Sequence, residues 1–231
     1  MKDYKHLFFD LDHTLWDFET NSRETLQELY DKHELGALGV SSFKHFHETY
    51  LPINDKFWYM FHNGKVTKDQ LRHGRFRATL SRFAIEDEAL IEELAHGYLN
   101  TSPNKAALLP GAIEVLQYLD KKYALHIITN GFSEVQHIKI NNSGLKPFFK
   151  NIIVSDEIGM KKPQPEIFMH ALQLSGGEQN NTAMIGDSLF TDIDGARNAG
   201  LDTIYFNPKR NWHKAEVTYE IQSLQQLRDI L

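Results

Sequence analysis

Short apolar runs of strand length alternate with segments of helical periodicity over much of the chain. The runs are rich in β-branched and aromatic residues, and several do not alternate with polar positions, which is typical of strands covered on both faces of a parallel sheet. They lie at residues 6–11, 124–129, 151–155, 182–186 and 202–206. Helical patterns occupy residues 111–122, 133–144, 165–177 and 192–200. This alternation predicts an α/β fold with a doubly wound parallel sheet.

The segment from residue 17 to residue 103 has a different pattern, because it is helical throughout and contains no strand-like run. Thr67, followed by Lys-Asp-Gln, has the sequence of a helix N-terminal cap. We therefore predict an α/β core made of residues 1–16 and 104–231, and a helical cap domain of residues 17–103 inserted after the first strand.

Composition narrows the choice of function. The net charge of −6 over 231 residues argues against nucleic-acid binding, which depends on Lys and Arg. The sequence contains no Cys, which excludes disulfides, thiolate metal sites and cysteine nucleophiles. It has no signal-peptide pattern and no apolar run near the roughly 20 residues of a membrane span. We expect a cytoplasmic protein without membrane partners, and no motif indicates its oligomeric state.

The stretch FFDLDHTLWDF, residues 8–18, drives an apolar strand into two carboxylates. Side chains alternate along a strand, so Asp10 and Asp12 are expected to point the same way while Leu11 packs inward. Burying two carboxylates without a partner costs several kcal/mol. A cation is therefore expected beside them, and oxygen ligands of this type suit Mg²⁺.

Polar residues also follow the other predicted strands. Thr129 and Asn130 end the second strand, Asp187 and Asp192 follow the fourth, and Lys162 precedes a helix. Ligands of open parallel sheets bind outside the carboxyl ends of the strands, and helix N-termini there favour anions. We expect these groups to share one crevice. The alternative, a set of solvated turn residues, is disfavoured because buried strands rarely lead into so many charges.

The motifs FDLDHTL, ITNG, KKP and GDSLFTD, in this order, resemble those of the haloacid dehalogenase superfamily of phosphohydrolases. The resemblance covers essentially the whole chain, and the helical insertion matches the family's first cap position. Longer stretches, among them NGKVTKDQLRHGRF and VSDEIGMKKPQPEIF, are similar to the noncanonical pyrimidine nucleotidases. That similarity implies 5′-nucleotidase activity on UMP, dUMP and dTMP; the spacing of the motifs alone indicates no pyrimidine preference.

The resemblance also implies a role for each motif residue. Asp10 is the nucleophile that forms an aspartyl-phosphate. Asp12 is the general acid for the leaving oxygen and then the base for water. Thr129 and the main chain of Asn130 bind phosphoryl oxygens, and Lys162 neutralises the charge of the phosphate and the nucleophile.

Mg²⁺ is the cofactor that the resemblance implies. Its ligands are Asp10, the main-chain carbonyl of Asp12, Asp187 and Asp192, the last directly or through water. His13 departs from the family pattern, since many members have Gly at this position. We assign it no chemistry.

The helical insertion carries the aromatic run FWYMF at residues 57–61. Phe57 and Phe61 are spaced i, i+4, which is typical of a buried helix face. In the alternative interpretation, Trp58 or Tyr59 stacks against a nucleobase and Arg75 contacts a phosphate or a base carbonyl.

Three alternatives to a nucleotidase remain. Two are enzymes: a sugar-phosphate or phosphoglycolate phosphatase, and a β-phosphoglucomutase-like enzyme. The third is a receiver-like phosphoacceptor module, which also clusters Asp, Thr and Lys on an α/β sheet. The helical insertion favours an enzyme, because a lid excludes water from a reacting centre. Asp12 argues against true dehalogenases, which resemble this chain but lack an acid at that position.

Overall fold

The computed structural model describes residues 2–231 and divides the chain into two compact units. The α/β unit combines Met1–Phe18 with Lys105–Leu231, and the helical unit is Glu19–Asn104. These boundaries lie close to those predicted from the change of pattern at residues 17 and 104. Within the described residues, no helix has both the length and the apolar character that a membrane span requires.

The helical unit is built from four helices, three of which begin at a residue whose side chain caps the helix N-terminus. Its helices are α1 (Phe18–Lys32), α2 (Phe43–His62), α3 (Lys68–Leu80) and α4 (Glu88–Thr101). The side chains of Ser42, Thr67 and Asp87 accept the first free main-chain N–H groups of α2, α3 and α4. Thr67 and Gln70 form the full capping box that the sequence predicts.

The α/β unit contains a parallel sheet, as predicted, and this sheet has six strands. The strands are β1 (His6–Phe9), β2 (Ala124–Thr129), β3 (Phe149–Val154), β4 (Thr182–Gly186), β5 (Asp202–Phe206) and β6 (Tyr219–Ile221). Their order is β3-β2-β1-β4-β5-β6, and every neighbouring pair is parallel. From β1 the chain therefore adds β2 and β3 on one side and then crosses to the other side of β1, where it adds β4, β5 and β6; the topological switch point lies beside β1.

Helices cover both faces of this sheet. They are α5 (Ala112–Leu119), α6 (Ser133–Asn142), α7 (Ser155–Ile158), α8 (Pro165–Ser175), α9 (Gly195–Asn198) and α10 (Leu227–Ile230). Within β1, Leu7 and Phe9 pack into the core on one face, with α5 and α10, whereas Phe8 packs into the core on the other, with α8 and α9. Two covered faces explain why the strands are apolar without alternation.

Three local features differ from the sequence prediction. The first strand ends at Phe9 rather than at residue 11, although the Asp10 N–H still donates to the Ile185 carbonyl at 2.9 Å. The predicted helix at 192–200 is a π-helical segment, Leu189–Asp194, continued by α9. Strand β6 was not predicted, because three residues are too short to show a period.

Candidate active site

The predicted residues at the ends of β1 and β4 and in the loop after β3 meet around one buried lysine. Lys162 Nζ donates to Asp10 Oδ1 and to Asp192 Oδ1, each at 2.6 Å. All three side chains are buried. Because the carboxyl ends of parallel strands lie at one edge of the sheet, residues up to 182 positions apart in sequence contact one cation.

Asp187 joins this group as the third carboxylate. Single oxygens of Asp10, Asp187 and Asp192 lie within 4.8 Å of one another. Burial, opposed by Lys162 but reinforced by Asp192 and Asp187, raises the pKa of Asp10 to about 8. Burial and the neighbouring Asp192 likewise raise the pKa of Asp187 to about 7. One ammonium is thus too little positive charge for three carboxylates, and their hard oxygen donors fit a divalent cation such as Mg²⁺.

The loop after β4 holds Asp192 in place. Its Oδ2 accepts the main-chain N–H of Ser188 at 3.1 Å, and its Oδ1 accepts the hydroxyl of Thr191 at 3.3 Å. A Cβ on Gly186 would lie 2.3 Å from Asp192 Oδ2. Glycine at the end of β4 is therefore a steric requirement of the site.

Asp12 lies in a second cluster with its own lysine. Lys139 Nζ donates to Asp12 Oδ1 at 2.7 Å, and Gln136 Nε2 donates to Asp12 Oδ2 at 2.9 Å. The Lys139 ammonium also lies 4.3 Å from the centre of the Trp16 ring, a cation–π contact. Burial alone would raise the pKa of Asp12, but Lys139 and Gln136 together hold that pKa below its usual range. Asp12 is thus held as a carboxylate.

Thr129 and Asn130 serve the site through local hydrogen bonds. Thr129 Oγ1 accepts from Gln136 Nε2 at 2.6 Å and from the Gly131 N–H at 3.2 Å, which leaves its own hydroxyl proton available to an acceptor. The Asn130 side chain donates to the Lys162 carbonyl and accepts from the Lys162 N–H, both at 2.8 Å. Asn130 therefore joins the loop after β2 to the loop that carries the site lysine.

His13 has a backbone conformation that explains the Gly found at this position in many family members. Its φ is +64°, in the left-handed region that favours glycine. Among side-chain residues, His is one of those enriched there. The His13 ring lies 4.6 Å from the ring of Phe18, centroid to centroid. The turn between Asp12 and Thr14 is thus formed with His at a position where glycine is the less strained choice.

The three residues predicted to read the substrate lie in the helical unit in different environments. Tyr59 is 60% exposed, and the Trp58 ring lies 5.9 Å from that of Phe61 and 5.7 Å from that of His62. Arg75 is buried, donates to Asn54 Oδ1 at 2.9 Å, and lies over the rings of Tyr50, Phe76 and Tyr98. Tyr59 thus has a free ring face, whereas the guanidinium of Arg75 is largely engaged by its own unit.

Sequence reasoning missed Gln136 and Lys139. Both are on α6, three residues apart, and both are buried, whereas the apolar Ile138 between them is 39% exposed. The available signal was a pair of long polar side chains on the first turns of a helix that follows a strand end. It was outweighed by the expectation that apolar residues mark the inner face of a helix.

The fold and this cluster of acids and lysines at the carboxyl edge of the sheet define an enzyme of the α/β class. A sequence model of one family, the haloacid dehalogenase-like hydrolases, matches residues 4–200. The chain belongs to this family. The family that the four motifs indicated is thereby confirmed.

Relatives of known name agree with this assignment. The pyrimidine 5′-nucleotidase PynA of Streptococcus pneumoniae is 35% identical over 233 residues, 99% of this chain and 95% of that protein. The pyrimidine 5′-nucleotidase YjjG of Escherichia coli is 31% identical over 228 residues, 97% of this chain and 96% of that protein. The magnesium-bound HAD-hydrolase YfnB of Bacillus subtilis has a crystal structure with a TM-score of 0.90, 33% identity and 99% coverage of both chains. The predicted similarity to pyrimidine nucleotidases is confirmed.

Proposed function

We propose that this hydrolase is a Mg²⁺-dependent phosphatase of pyrimidine nucleoside 5′-monophosphates and acts through an aspartyl-phosphate on Asp10. The observation that carries the proposal is the buried Lys162 shared by Asp10 and Asp192, with Asp187 close enough to complete a divalent-cation site. The full-length similarity to two pyrimidine 5′-nucleotidases supports the substrate class.

Mg²⁺ bound by Asp10, Asp187 and Asp192, with the main-chain carbonyl of Asp12, would supply the positive charge that the carboxylates and a phosphate require. The first step then belongs to Asp10. A carboxylate oxygen of Asp10 forms a bond to phosphorus while the bond from phosphorus to the nucleoside 5′-oxygen breaks. Lys162 holds Asp10 in a fixed orientation, and the free hydroxyl proton of Thr129 can be donated to a phosphoryl oxygen.

Asp12 transfers the protons in both steps. In the first step it gives a proton to the departing 5′-oxygen, and in the second it takes one from the water that attacks the aspartyl-phosphate. Its contacts with Lys139 and Gln136 suit the ionised form, which is the base of the second step. To act as the acid, Asp12 must carry a proton, which weakens its ion pair with Lys139. The lysine therefore favours dephosphorylation over the first step.

The base of the nucleotide is assigned to the aromatic run of the helical unit. The exposed face of Tyr59, and Trp58 beside it, can stack on a pyrimidine ring. Arg75 Nε has no hydrogen-bond partner among the described residues, but it is buried, so Arg75 would contact a carbonyl or a phosphate only after a rearrangement of the helical unit.

A phosphate-release panel tests the proposal. It includes UMP, dUMP, dTMP, AMP, phosphoglycolate and β-glucose 1-phosphate, with Asp10→Asn as the blank. We expect the pyrimidine nucleotides to have the highest kcat/KM and EDTA to abolish turnover. Faster release from phosphoglycolate or the sugar phosphate would refute the nucleotidase assignment. Stable phosphorylation without turnover would instead identify a phosphoacceptor module.

Recognition of the nucleobase by the helical unit is tested by a separate measurement. Tyr59→Ala removes an exposed ring, so the fold should be unaffected. We expect it to raise KM for dUMP by about 5- to 150-fold, because stacking on a base contributes about 1–3 kcal/mol. KM for phosphoglycolate, which has no base, is the matched control. An equal change for both substrates would rule out base stacking at Tyr59.

A further inference from the structure

Helices α3 and α4 of the helical unit each carry an acid and a histidine spaced i, i+4, and these four side chains meet. On α4, the two oxygens of Glu92 face two imidazoles: Oε2 lies 3.0 Å from His73 Nε2, and Oε1 lies 3.0 Å from His96 Nε2. His73 comes from α3, so one carboxylate joins the two helices. Glu92 and His96 are exposed, whereas the His73 side chain is only 16% exposed.

The second nitrogen of His73 fixes which nitrogen carries the proton. His73 Nδ1 lies 3.1 Å from the main-chain oxygen of Asp69 and 3.1 Å from its Oδ1. Both partners are acceptors, so Nδ1 carries the hydrogen. In the neutral ring, Nε2 then has a free lone pair that faces the cluster. Asp69 and His73 thus have the arrangement of a carboxylate that orients a metal-binding histidine.

His73 Nε2 is buried and makes no hydrogen bond among the described residues, although a Glu92 oxygen is 3.0 Å away. The two atoms are close but not aligned for an N–H to donate. A lone pair and a carboxylate oxygen at this distance repel each other unless a cation lies between them. A proton on His73 Nε2 could supply this positive charge only if the N–H pointed at the Glu92 oxygen, and the two groups are not aligned in that way.

We propose that His73, Glu92 and His96 form a binding site for a divalent transition-metal ion, Zn²⁺ above all, that joins α3 to α4. Their ligand atoms lie within 4.8 Å of one another. Tetrahedral Zn²⁺ ligands at about 2.0–2.1 Å from the metal lie roughly 3.4 Å from each other. The Glu92–histidine contacts of 3.0 Å and the upper limit of 4.8 Å lie on either side of this value, so small side-chain shifts suffice. Two imidazole nitrogens and one carboxylate oxygen suit Zn²⁺, Co²⁺ or Ni²⁺ rather than Mg²⁺.

The site is chemically distinct from the acidic cluster of the α/β unit, which offers only oxygen ligands. Because the protein ligands number three and two of them are exposed, a fourth position remains for water. A metal there would crosslink two helices of the helical unit. Its binding free energy would therefore add to the stability of that unit.

Co²⁺ is the probe that separates the two sites. Untagged protein is stripped with EDTA, returned to millimolar Mg²⁺ to fill the acidic cluster, and titrated with Co²⁺. We expect the intense visible absorption of Co²⁺ with four or five ligands, saturating at one equivalent and lost on addition of one equivalent of Zn²⁺. We also expect Zn²⁺ to raise the Tm of the stripped protein.

Variants locate the metal. Glu92→Gln and His96→Gln change exposed side chains, and each should weaken Co²⁺ binding at least tenfold while leaving the circular dichroism unchanged. Asp69→Asn keeps all three ligands and should weaken binding about 10–100-fold through the orientation of His73. His137→Gln is the matched control, because His137 is an exposed histidine paired with Glu157 at 2.7 Å in the other unit.

Either of two results would overturn the proposal. One is that Co²⁺ and Zn²⁺ bind only where excess Mg²⁺ displaces them. The other is that Glu92→Gln and His96→Gln bind these ions as wild type does, in which case the cluster is a hydrogen-bonded surface network and nothing more.

Discussion

Replacing Lys139 by Met tests whether the second lysine governs the charge of Asp12. Met keeps most of the length of the buried side chain and its contact with Trp16 but removes the ammonium 2.7 Å from Asp12 Oδ1. Removing one partner of a buried ion pair costs about 3–5 kcal/mol. The Asp12 side chain is 23% exposed, so solvent compensates in part and we expect the lower end, about 3 kcal/mol.

The free energy lost in Lys139→Met is expected to depend on pH, because it follows the ionisation of Asp12. In wild type the pKa of Asp12 is lowered, so its ion pair contributes stability above the unfolded pKa of about 3.9 and loses it as the pH falls. In Lys139→Met, burial is opposed only by Gln136 and His13, so we expect the pKa of Asp12 to rise. The variant can then protonate Asp12 at a higher pH. Its deficit in the free energy of unfolding should be largest near pH 7 and smaller near pH 4.

Urea unfolding in EDTA from pH 4 to pH 8 measures this deficit, and Lys121→Met, which changes an exposed lysine after α5, is the control. The pH profile of kcat/KM supplies an independent readout, because the ascending limb should move to higher pH in Lys139→Met. A deficit that stays constant across the pH range, or an unmoved kinetic profile, would refute the assignment of Lys139 to Asp12.

Three further predictions follow from the same contacts. Lys162→Met leaves three carboxylates without their ammonium. The free energy of unfolding of the metal-free variant should therefore be lower by at least about 3 kcal/mol, the cost of breaking a buried ion pair. Mg²⁺ should raise the Tm of this variant more than it raises that of the wild type. Gly186→Ala places a methyl group 2.3 Å from Asp192 Oδ2, so Mg²⁺ affinity by calorimetry should fall at least tenfold; unchanged affinity would show that the carboxylate can move freely. Burial, with the neighbouring His6, lowers the pKa of His126 to about 4, below its unfolded value of about 6.5. His126 therefore stabilises the fold only while neutral, and up to about 3 kcal/mol should be lost as the pH falls from 6.5 to 4, a loss that denaturation of His126→Gln should lack.

Much of the fold and of the acidic site was predictable because parallel sheets impose strong constraints. A strand covered on both faces must be continuously apolar, and its carboxyl end must emerge beside those of its neighbours. Asp10, Lys162 and Asp192 could therefore be assigned to one site from position alone, and in the structure Lys162 Nζ lies 2.6 Å from a carboxylate oxygen of each aspartate. The same logic found every strand except β6, where three residues carry no periodic signal.

The sequence analysis missed residues whose role depends on which face of a helix lies inward. Lys139 and Gln136 face inward from α6, whereas the apolar residue between them faces outward, so the hydrophobic pattern of this helix did not indicate its buried face. The cluster of His73, Glu92 and His96 was missed for a related reason. Its members are on two helices, and the contact between those helices is set by packing rather than by sequence spacing.

The two carboxylates of the first motif tolerate being two residues apart because they meet different cations. Asp12 has a lysine of its own and a neutral amide donor, which suffice to lower its pKa. Asp10 must share Lys162 with Asp192 and faces Asp187 as well, and burial among these acids raises its pKa to about 8. The shortage of positive charge is therefore confined to the side of Asp10, which is where a divalent cation is needed. In the proposed mechanism, Lys139 would therefore tune proton transfer at Asp12 without contacting the residues that would hold the divalent cation.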